Sequence, residues 1–401
     1  MGKFEKLGDV CDFIGGSQPA KSNFVYDLTG LDNSEYARLI QIRDYKSDKH
    51  IVYIPKSSTK KFCKVDDVMI GRYGPPVFQI LRGLEGAYNV ALMKAIPRSD
   101  LLDNEYLFYF LMSPSIQNYI IKLSERAAGQ TGVNKPALHG FPILVPNIPE
   151  QKRIVALLDT VFADLEETRS KTEQNLKNAR ELFDSYLQQV FSQKGEGWEE
   201  LALENLVSED CSLSYGIVQP GDDFNDGLPV VRPTDLKTDL ITPDGLKLID
   251  PVKSEAYKRT VLQGGELLVC VRGSTGITSI ACKSLADANV TRGIVPVRFN
   301  PELISDRFGY YQFISPLVQS QIKDATYGAA LMQINIRDFR KIKVSTPSIE
   351  VQKSLVNKLD SIRPDLIRAE EIYKQKLLAL DELKKSILHK AFSGELTAEA
   401  K

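Results

Sequence analysis

The sequence predicts an α+β protein: two repeated mixed α/β modules separated by a pair of long antiparallel coiled-coil helices, related by a pseudo-two-fold axis. Three observations support this prediction. The chain matches itself at an offset of 201 residues, two long stretches show heptad periodicity, and the remainder holds short β-branched or aromatic runs between Gly, Pro and Asn turns.

The internal repeat is clearest around the two periodic stretches. The segment Pro146–Lys152 matches Pro347–Lys353, and Leu182–Ser192 matches Leu383–Ser393, without a gap over about 45 residues. Upstream the match is looser, with offsets from about 191 to 202. The repeat therefore predicts four segments: a first module at 1–147, a helical spacer at 148–197, a second module at 198–347 and a second spacer at 348–401.

The modules alternate strand and helix patterns. Short apolar runs predict strands at 68–70, 267–271 and 293–297, and amphipathic spacing predicts helices near 104–123 and 305–323. Each module is therefore expected to hold a mixed sheet.

The two spacers carry apolar residues at a spacing of 3.5, which predicts two helices that pack on each other. The predicted seam consists of Ile154, Leu158, Val161, Leu165, Leu182, Tyr186, Leu355, Leu359, Ile362, Leu366, Leu380, Leu383 and Ile387. Asn175 and Lys376 are polar at the equivalent seam position, where they would fix the register or mark a wetted gap. Pro364 predicts a kink or a short helix followed by a long one.

Composition excludes several classes of protein. No apolar stretch approaches the roughly 18 residues that span a bilayer, and the N-terminus lacks an apolar signal core, so we expect a cytoplasmic protein with no membrane partner. Five cysteines without a Cys-x-x-Cys pattern and three scattered histidines indicate no metal site. Phosphate-binding and dinucleotide-binding glycine motifs are also absent from the sequence. We therefore expect no catalytic residue and no cofactor on this chain, with the chemistry supplied by another.

Duplication suggests what such a layout could do. A helix of about 40 residues is roughly 60 Å long. Two such helices, paired antiparallel with a module at the start of each, would hold the modules a fixed distance apart. Dimeric DNA readers space two reading units in the same way. Two diverged modules would then recognise two different half-sites.

A variable module is followed by the Pro-x-x-Pro-Glu-Gln-Lys-Arg-Ile-Val-x-x-Leu-Asp segment from Pro146 and by a long helix ending in Leu-x-x-x-Phe-Ser, and all three are then repeated. This order of segments resembles the specificity subunit of type I restriction-modification enzymes. In the second copy Ile349-Glu350-Val351-Gln352 replaces the Pro-Glu-Gln of the first, which could make docking unequal at the two ends.

The resemblance implies a sequence-specific DNA-recognition subunit that reads a bipartite target in double-stranded DNA. It implies that the helix pair sets the unread spacer and docks two modification (methyltransferase) subunits, which bind S-adenosylmethionine and methylate adenine. Two restriction/translocase subunits would add ATP- and Mg-dependent cleavage.

Base-edge contacts require Arg, Lys, Asn or Gln on loops, and phosphate contacts require cations or amides. The DNA-binding candidates in the first module are Arg43, Lys46, Arg72, Tyr73, Gln79, Arg82, Asn89, Gln130, Asn134 and Lys135. In the second module they are Arg232, Lys237, Arg272, Ser274, Thr275, Asn289, Arg292, Gln333, Asn335 and Arg337. Arg72/Arg272 and Asn134/Asn335 are favoured, since both copies keep similar chemistry there.

Net charge differs between the modules. Residues 1–149 carry 18 Lys+Arg and 15 Asp+Glu, net +3, whereas 198–347 carry 16 and 19, net −3. The second module must therefore concentrate its cations on one face or depend on partners for phosphate affinity.

Other functions stay open at the level of the sequence. The chain could be a coiled-coil scaffold whose modules bind proteins and not DNA. It could also be a self-sufficient nuclease or methyltransferase, or belong to a system that only methylates. The half-site sequences and the spacer length are not encoded in any motif.

Overall fold

A computed structural model describes residues 2–74, 76–125 and 132–395. The chain forms two compact units. The first contains Met1–Glu173 and Gln375–Lys401, and the second contains Gln174–Lys374. Each unit therefore combines one module with the N-terminal part of one long helix and the C-terminal part of the other.

The first module holds a mixed sheet, as predicted, beside an antiparallel one. Its strands are β1 (Lys3–Lys6), β2 (Cys11–Gly15), β3 (Tyr36–Ile40), β4 (Tyr53–Pro55), β5 (Phe62–Cys63), β6 (Val68–Gly71), β7 (Gln79–Leu81), β8 (Gly86–Tyr88), β9 (Leu92–Pro97) and β10 (Pro142–Val145). Its helices are α1 (Leu7–Val10), α2 (Asn104–Met112), α3 (Pro114–Glu125) and α4 (Lys135–Gly140), and the long helix α5 (Ile148–Ser192) follows. Two four-stranded sheets have the orders β2-β9-β6-β7 and β4-β3-β8-β5, and only β3 and β8 pair parallel among these described strands.

The second module repeats these parts with different loops. Its strands are β11 (Glu199–Ala202), β12 (Leu228–Val231), β13 (Leu240–Ile241), β14 (Lys247–Ile249), β15 (Leu267–Cys270), β16 (Thr278–Ala281), β17 (Asn289–Val290), β18 (Ile294–Val297), β19 (Thr326–Tyr327), β20 (Gln333–Ile334) and β21 (Lys343–Thr346). Its helices are α6 (Val252–Glu255), α7 (Asp306–Ile314), α8 (Pro316–Asp324) and α9 (Ile336–Phe339), and the long helix α10 (Ile349–Ser393) follows. Sheets β14-β12-β17 and β13-β16-β15-β18 again mix parallel and antiparallel pairs.

Each amphipathic helix predicted in the modules is divided in two at a Ser-Pro step. Ser113 separates α2 from α3, and Ser315 separates α7 from α8. The proline that follows disfavours helical backbone at the serine. The hydroxyl of Ser315 then accepts a hydrogen bond from the Val318 N–H and caps the next helix.

The long helices pair antiparallel within each unit. In the first unit Arg169 of α5 forms an ion pair with Asp381 of α10, and Lys384 lies 5.1 Å from the Phe162 ring. In the second unit Arg180 pairs with Glu370 at 3.1 Å, and Arg363 lies 5.0 Å from the Phe183 ring. Within each unit, residue numbers thus rise along one helix as they fall along the other.

Helix α10 is continuous through Pro364, so the predicted division into a short and a long helix is wrong. No helix in the described part of the chain is both long and apolar enough to cross a bilayer.

Of the thirteen predicted seam residues, ten are buried or half-buried and three are exposed. Leu182, Ile362 and Leu383 are exposed, Leu182 to 74%, and these three assignments are wrong. Buried or half-buried side chains stand one residue later in each case, at Phe183, Arg363 and Lys384. The other predicted seam residues are buried or half-buried: Ile154, Leu158, Val161, Leu165, Tyr186, Leu355, Leu359, Leu366, Leu380 and Ile387.

The three wrong assignments follow from the period of a straight helix. At 3.6 residues per turn, a strict heptad drifts by about 20° per repeat, so a fixed 3.5 numbering leaves the buried stripe after several turns. The same drift exposes Asn175 and Lys376, and Leu176 and Leu377 are half-buried in their place. The predicted polar register position therefore does not lie in the seam.

A buried glutamine anchors each module to its long helix. Gln151 accepts a hydrogen bond from the Asp103 N–H and donates to the carbonyls of Leu101 and Pro146. Gln352 makes the same three bonds, to Ser305, Leu303 and Pro347. Both glutamines are fully buried. The Gln-Lys step of the repeated motif is therefore a structural joint between module and helix.

Candidate nucleic-acid interface

An open concavity of about 250 Å³ on the second module brings together four of its ten DNA-binding candidates. It is lined by Tyr215, Val271, Arg272, Arg292, Tyr327, Gln333, Ile334 and Asn335. These residues come from four separate parts of the chain, so the fold and not the local sequence assembles the site.

Backbone pairing sets the positions of these side chains. Beyond the end of β15, Arg272 forms an antiparallel bridge with Gln333 of β20, and the Ile334 N–H donates to the Val271 carbonyl at 2.9 Å. On the other side, the Arg292 N–H donates to the Ile217 carbonyl at 2.8 Å, which brings Arg292 beside the segment containing Tyr215.

Tyr215 closes the concavity and is tied to its rim. Its hydroxyl donates to the Ile334 carbonyl at 2.9 Å. The next residue, Gly216, lies so close to the Val290 carbonyl that a Cβ would collide with backbone, so only glycine fits there. The site thus depends on a tight crossing of two backbone segments.

The concavity is cationic. Arg272 and Arg292 form no ion pair with any carboxylate in the described ranges of the chain, although Arg292 is exposed and Arg272 half-buried. Burial raises the pKa of the Tyr215 hydroxyl and Tyr327 raises it further, whereas Arg292 and Arg272 lower it. Two guanidinium groups and four amide or hydroxyl side chains therefore line this space, with no carboxylate among the described lining residues.

Asn335 and its counterpart Asn134 both cap short helices. The Asn335 side-chain oxygen accepts from the Arg337 N–H at 3.0 Å at the start of α9. The Asn134 oxygen accepts from the Ala137 N–H at 3.0 Å at the start of α4. The similarity between the copies at this position therefore has a structural cause in helix capping. Arg337 is exposed on the first turn of α9, and Lys135 is half-buried on the first turn of α4.

Two other candidates of the second module have structural roles. Asn289 is fully buried, where its amide donates to the Ser254 hydroxyl and its oxygen accepts from the Thr260 hydroxyl. It cannot reach DNA, and the prediction is wrong for this residue. Arg232 holds Asp235 through two side-chain bonds of 3.0 and 2.9 Å. The remaining candidates, Lys237, Ser274 and Thr275, are exposed or half-buried.

The predicted equivalence of Arg72 and Arg272 is also wrong. The bridge between Tyr73 and Gly132 in the first module corresponds to the bridge between Arg272 and Gln333 in the second, so Tyr73 is the counterpart of Arg272. Successive side chains on an extended strand point to opposite faces, so the shift by one residue matters. Arg72 instead donates to the Val90 carbonyl at 3.1 Å and lies 5.0 Å from the Tyr73 ring.

Several first-module candidates are engaged in local contacts. The Arg82 guanidinium pairs with Glu105 and stacks 3.9 Å from the Phe108 ring. Gln79 donates to the Pro76 carbonyl at 2.9 Å, and Asn89 accepts from the Ala91 N–H at 3.1 Å.

Three candidates of the first module are left. Arg43 is exposed and donates to the His50 carbonyl at 3.4 Å, and Lys46 is exposed as well. Gln130 lies outside the described residues.

Sequence reasoning missed the two tyrosines of the concavity. Tyr215 carried a usable signal, because Tyr215-Gly216 stands opposite Gly15-Gly16 in the repeat, and both second glycines lie against a crossing backbone. Tyr327 carried none, since the hairpin that presents it differs in sequence from the first copy.

The fold defines a class of protein: two copies of a mixed α/β module, each built on an antiparallel helix pair, with a cation-lined concavity on the second module. The family model for the type I restriction modification DNA specificity domain matches residues 2–174 and 220–378. The chain belongs to this family.

Individual relatives agree over nearly the whole chain. The specificity subunit of the type I restriction enzyme EcoBI from Escherichia coli is 23% identical, covering 90% of this chain and 80% of that protein. A putative type I restriction enzyme MjaX specificity subunit from Methanocaldococcus jannaschii is 25% identical, covering 98% and 92%.

Two solved structures share the fold. A chain from a structure on complex assembly and conformational transition of the type I R-M system superposes with a TM-score of 0.71 at 20% identity, covering 98% of this chain and 97% of that one. The HsdS subunit from Thermoanaerobacter tengcongensis gives a TM-score of 0.51 at 19% identity, with the same coverage.

Proposed function

We propose that each module of this type I specificity subunit recognises one half of a split double-stranded DNA target, and that the concavity of the second module contacts its half-site. One observation supports the proposed contact between the concavity and the half-site. In a module with a net charge of −3, two arginines without carboxylate partners among the described residues converge on one space with Gln333 and two tyrosines.

The donor set defines what this space would bind. Guanidinium and amide groups match acceptor atoms, and the O6 and N7 atoms of guanine in the major groove are the commonest base target of arginine. Phosphate oxygens are the second target of the same groups. We infer that the second half-site presents at least one G·C pair, or a phosphate of its flanking backbone, to Arg272 and Arg292.

Catalysis would reside on partner subunits. Two modification subunits docked on the helix pair would bind S-adenosylmethionine and methylate adenine in each half-site, and two restriction subunits would use ATP and Mg²⁺ for translocation and cleavage. The family membership supports this assembly. We infer a cytoplasmic location from the same role, because the target is the DNA of the cell.

The test is to map methylated adenines in DNA exposed to the chain assembled with its modification subunits. A split motif with a constant gap is expected. Methylation without such a motif, or no DNA binding by the assembled complex, would refute the proposed function.

Variants then locate the second half-site. Arg272→Gln and Arg292→Gln should each weaken binding about tenfold or more through that half-site and leave the first half-site unchanged. Arg259→Gln, an exposed arginine of the same module outside the concavity, is the matched control. Binding should also weaken steeply with salt, with a shallower slope for the variants where they contact phosphate.

A further inference from the structure

The hairpin formed by β19 and β20 exposes apolar side chains beside the concavity. Its connecting residues include Leu331 and Met332, which are 46% and 44% exposed, and Tyr327 on β19 is exposed as well. Two of the hairpin's own residues, Tyr327 and Gln333, line the cationic space. An apolar tip therefore adjoins a surface that is otherwise polar and cationic.

Backbone contacts hold this tip in place. The Gly273 N–H donates to the Met332 carbonyl at 2.8 Å, next to the bridge between Arg272 and Gln333. At the opposite side of the turn, Gly328 has a φ of +118°, and a Cβ there would collide with the Leu331 carbonyl. The tip is thus a five-residue loop bonded to the segment that follows β15 and carries Arg272, with its apolar side chains exposed.

We propose that Leu331 and Met332 form an apolar wedge that enters the duplex at the second half-site and partly opens one base step. This inference rests on the proposed function. Proteins that bend DNA insert leucine, isoleucine, methionine or phenylalanine between base pairs while cations hold the neighbouring phosphates. Residues 328–332 connect Tyr327 to Gln333, which both line the concavity, so DNA held by the concavity lies close to the tip.

The chemistry of the surroundings favours DNA over a protein partner for this tip. The rim next to it carries Arg272 and Arg292 without carboxylate partners in the described part of the chain, which suits a polyanion. A wedge also confers specificity without polar contacts, because pyrimidine–purine steps open most easily. The second half-site should therefore contain or adjoin a TA or CA/TG step.

The experiment uses the full chain assembled with its modification subunits and a duplex carrying the mapped target. 2-Aminopurine is placed at single positions of the second half-site other than the methylated adenine, so that its fluorescence reports unstacking. The test variant is Leu331→Ser with Met332→Ser. Val252→Ser, which changes an exposed apolar residue of the same module outside the concavity, is the control.

We expect wild type and the control to raise the fluorescence at one step, and the double variant to abolish the rise. The double variant should bind the intact duplex at least tenfold more weakly, but a duplex mismatched at that step less than threefold more weakly, because the mismatch is already unstacked.

Three results would overturn the wedge, and the third comes from the footprints described last. One is a double variant with wild-type fluorescence and affinity. The other is a double variant that no longer assembles with the modification subunits, which would make the tip a protein contact. Footprinting of both half-sites is measured in parallel: loss of every footprint with wild type would refute the proposed function itself, whereas intact footprints without unstacking refute only the wedge.

Discussion

Removal of one partner from the half-buried ion pair between Arg363 and Asp239 should strongly destabilise the second unit. Arg363 of α10 donates two hydrogen bonds of 3.0 and 2.9 Å to Asp239, and their side chains are only 19% and 27% exposed. The guanidinium also lies 5.0 Å from the Phe183 ring of α5. This one side chain therefore links the module to both long helices.

Arg363→Met keeps the aliphatic volume and leaves Asp239 without its cation. Breaking a buried pair from one side costs roughly 3–5 kcal/mol, and the partial exposure here places the expected loss near the lower end, about 3 kcal/mol. The urea dependence for a unit of this size is about 3 kcal/mol per M, so the unfolding midpoint should fall by about 1 M. Adding Asp239→Asn should recover much of the loss, because no unpaired carboxylate then remains.

The assay measures the fluorescence of Trp198, which is the single tryptophan of the chain and packs against the core of the second unit. Its fluorescence in urea therefore reports the unfolding of that unit. The control is Arg180→Met, which breaks a two-bond pair with Glu370 whose arginine is half exposed, and which should cost at most about 1 kcal/mol. A midpoint shift for Arg363→Met no larger than that of the control would refute the reasoning.

Three further predictions concern the same unit. Burial alone would raise the pKa of the Asp239 carboxyl, but hydrogen bonds from its partners lower that pKa below its ordinary 3.8. The stability that Asp239 contributes is therefore present above pH 3.8 and is lost as the pH falls below that value. Acid unfolding followed by Trp198 fluorescence should show the loss of this contribution only in that range. Phe183→Ala should cost about 3–5 kcal/mol, whereas the adjacent Leu182→Ala should stay within about 0.5 kcal/mol, and equal costs in urea would contradict the corrected seam. Gln352→Ala removes one buried and two partly buried hydrogen bonds to the backbone and should cost about 2–4 kcal/mol by thermal or urea unfolding, against almost nothing for the exposed Gln188→Ala.

The parts of the fold that the sequence predicted are those repeated without a gap. Gln151 and Gln352 stand at the 201-residue offset and make the same three bonds, because the joint between module and helix is a fixed local geometry. The two helices and the mixed sheets of the modules follow from periodicities that depend only on backbone geometry.

The candidate site was predictable only in part, because long-range register decides which side chains meet. Arg272 and Arg292 were recognised as donors, but their convergence depends on two backbone bridges that no local pattern encodes. Asn289 reads like a loop amide in the sequence and is a core residue in the fold. The misassigned Arg72 shows the same limit, since an alignment error of one residue turns a side chain to the other face.

Two ion pairs between the long helices keep opposite charges in contact, although the residues at these positions differ between the copies. At the 201-residue offset, Arg169 corresponds to Glu370 and Asp381 corresponds to Arg180, so the two ion pairs are images of each other with the charges exchanged.

This exchange has a consequence for pairing. Two copies of α5 packed in the same antiparallel register would place Arg169 against Arg180, and two copies of α10 would place Glu370 against Asp381. Like charges at both points disfavour each self-pair, and opposite charges favour α5 with α10. Arg180→Glu should therefore lower the urea midpoint of unfolding, followed by Trp198 fluorescence, more than Arg180→Met does. Adding Glu370→Arg to Arg180→Glu should restore the midpoint. Failure of the second change to restore the midpoint would show that apolar packing alone selects the partner helix.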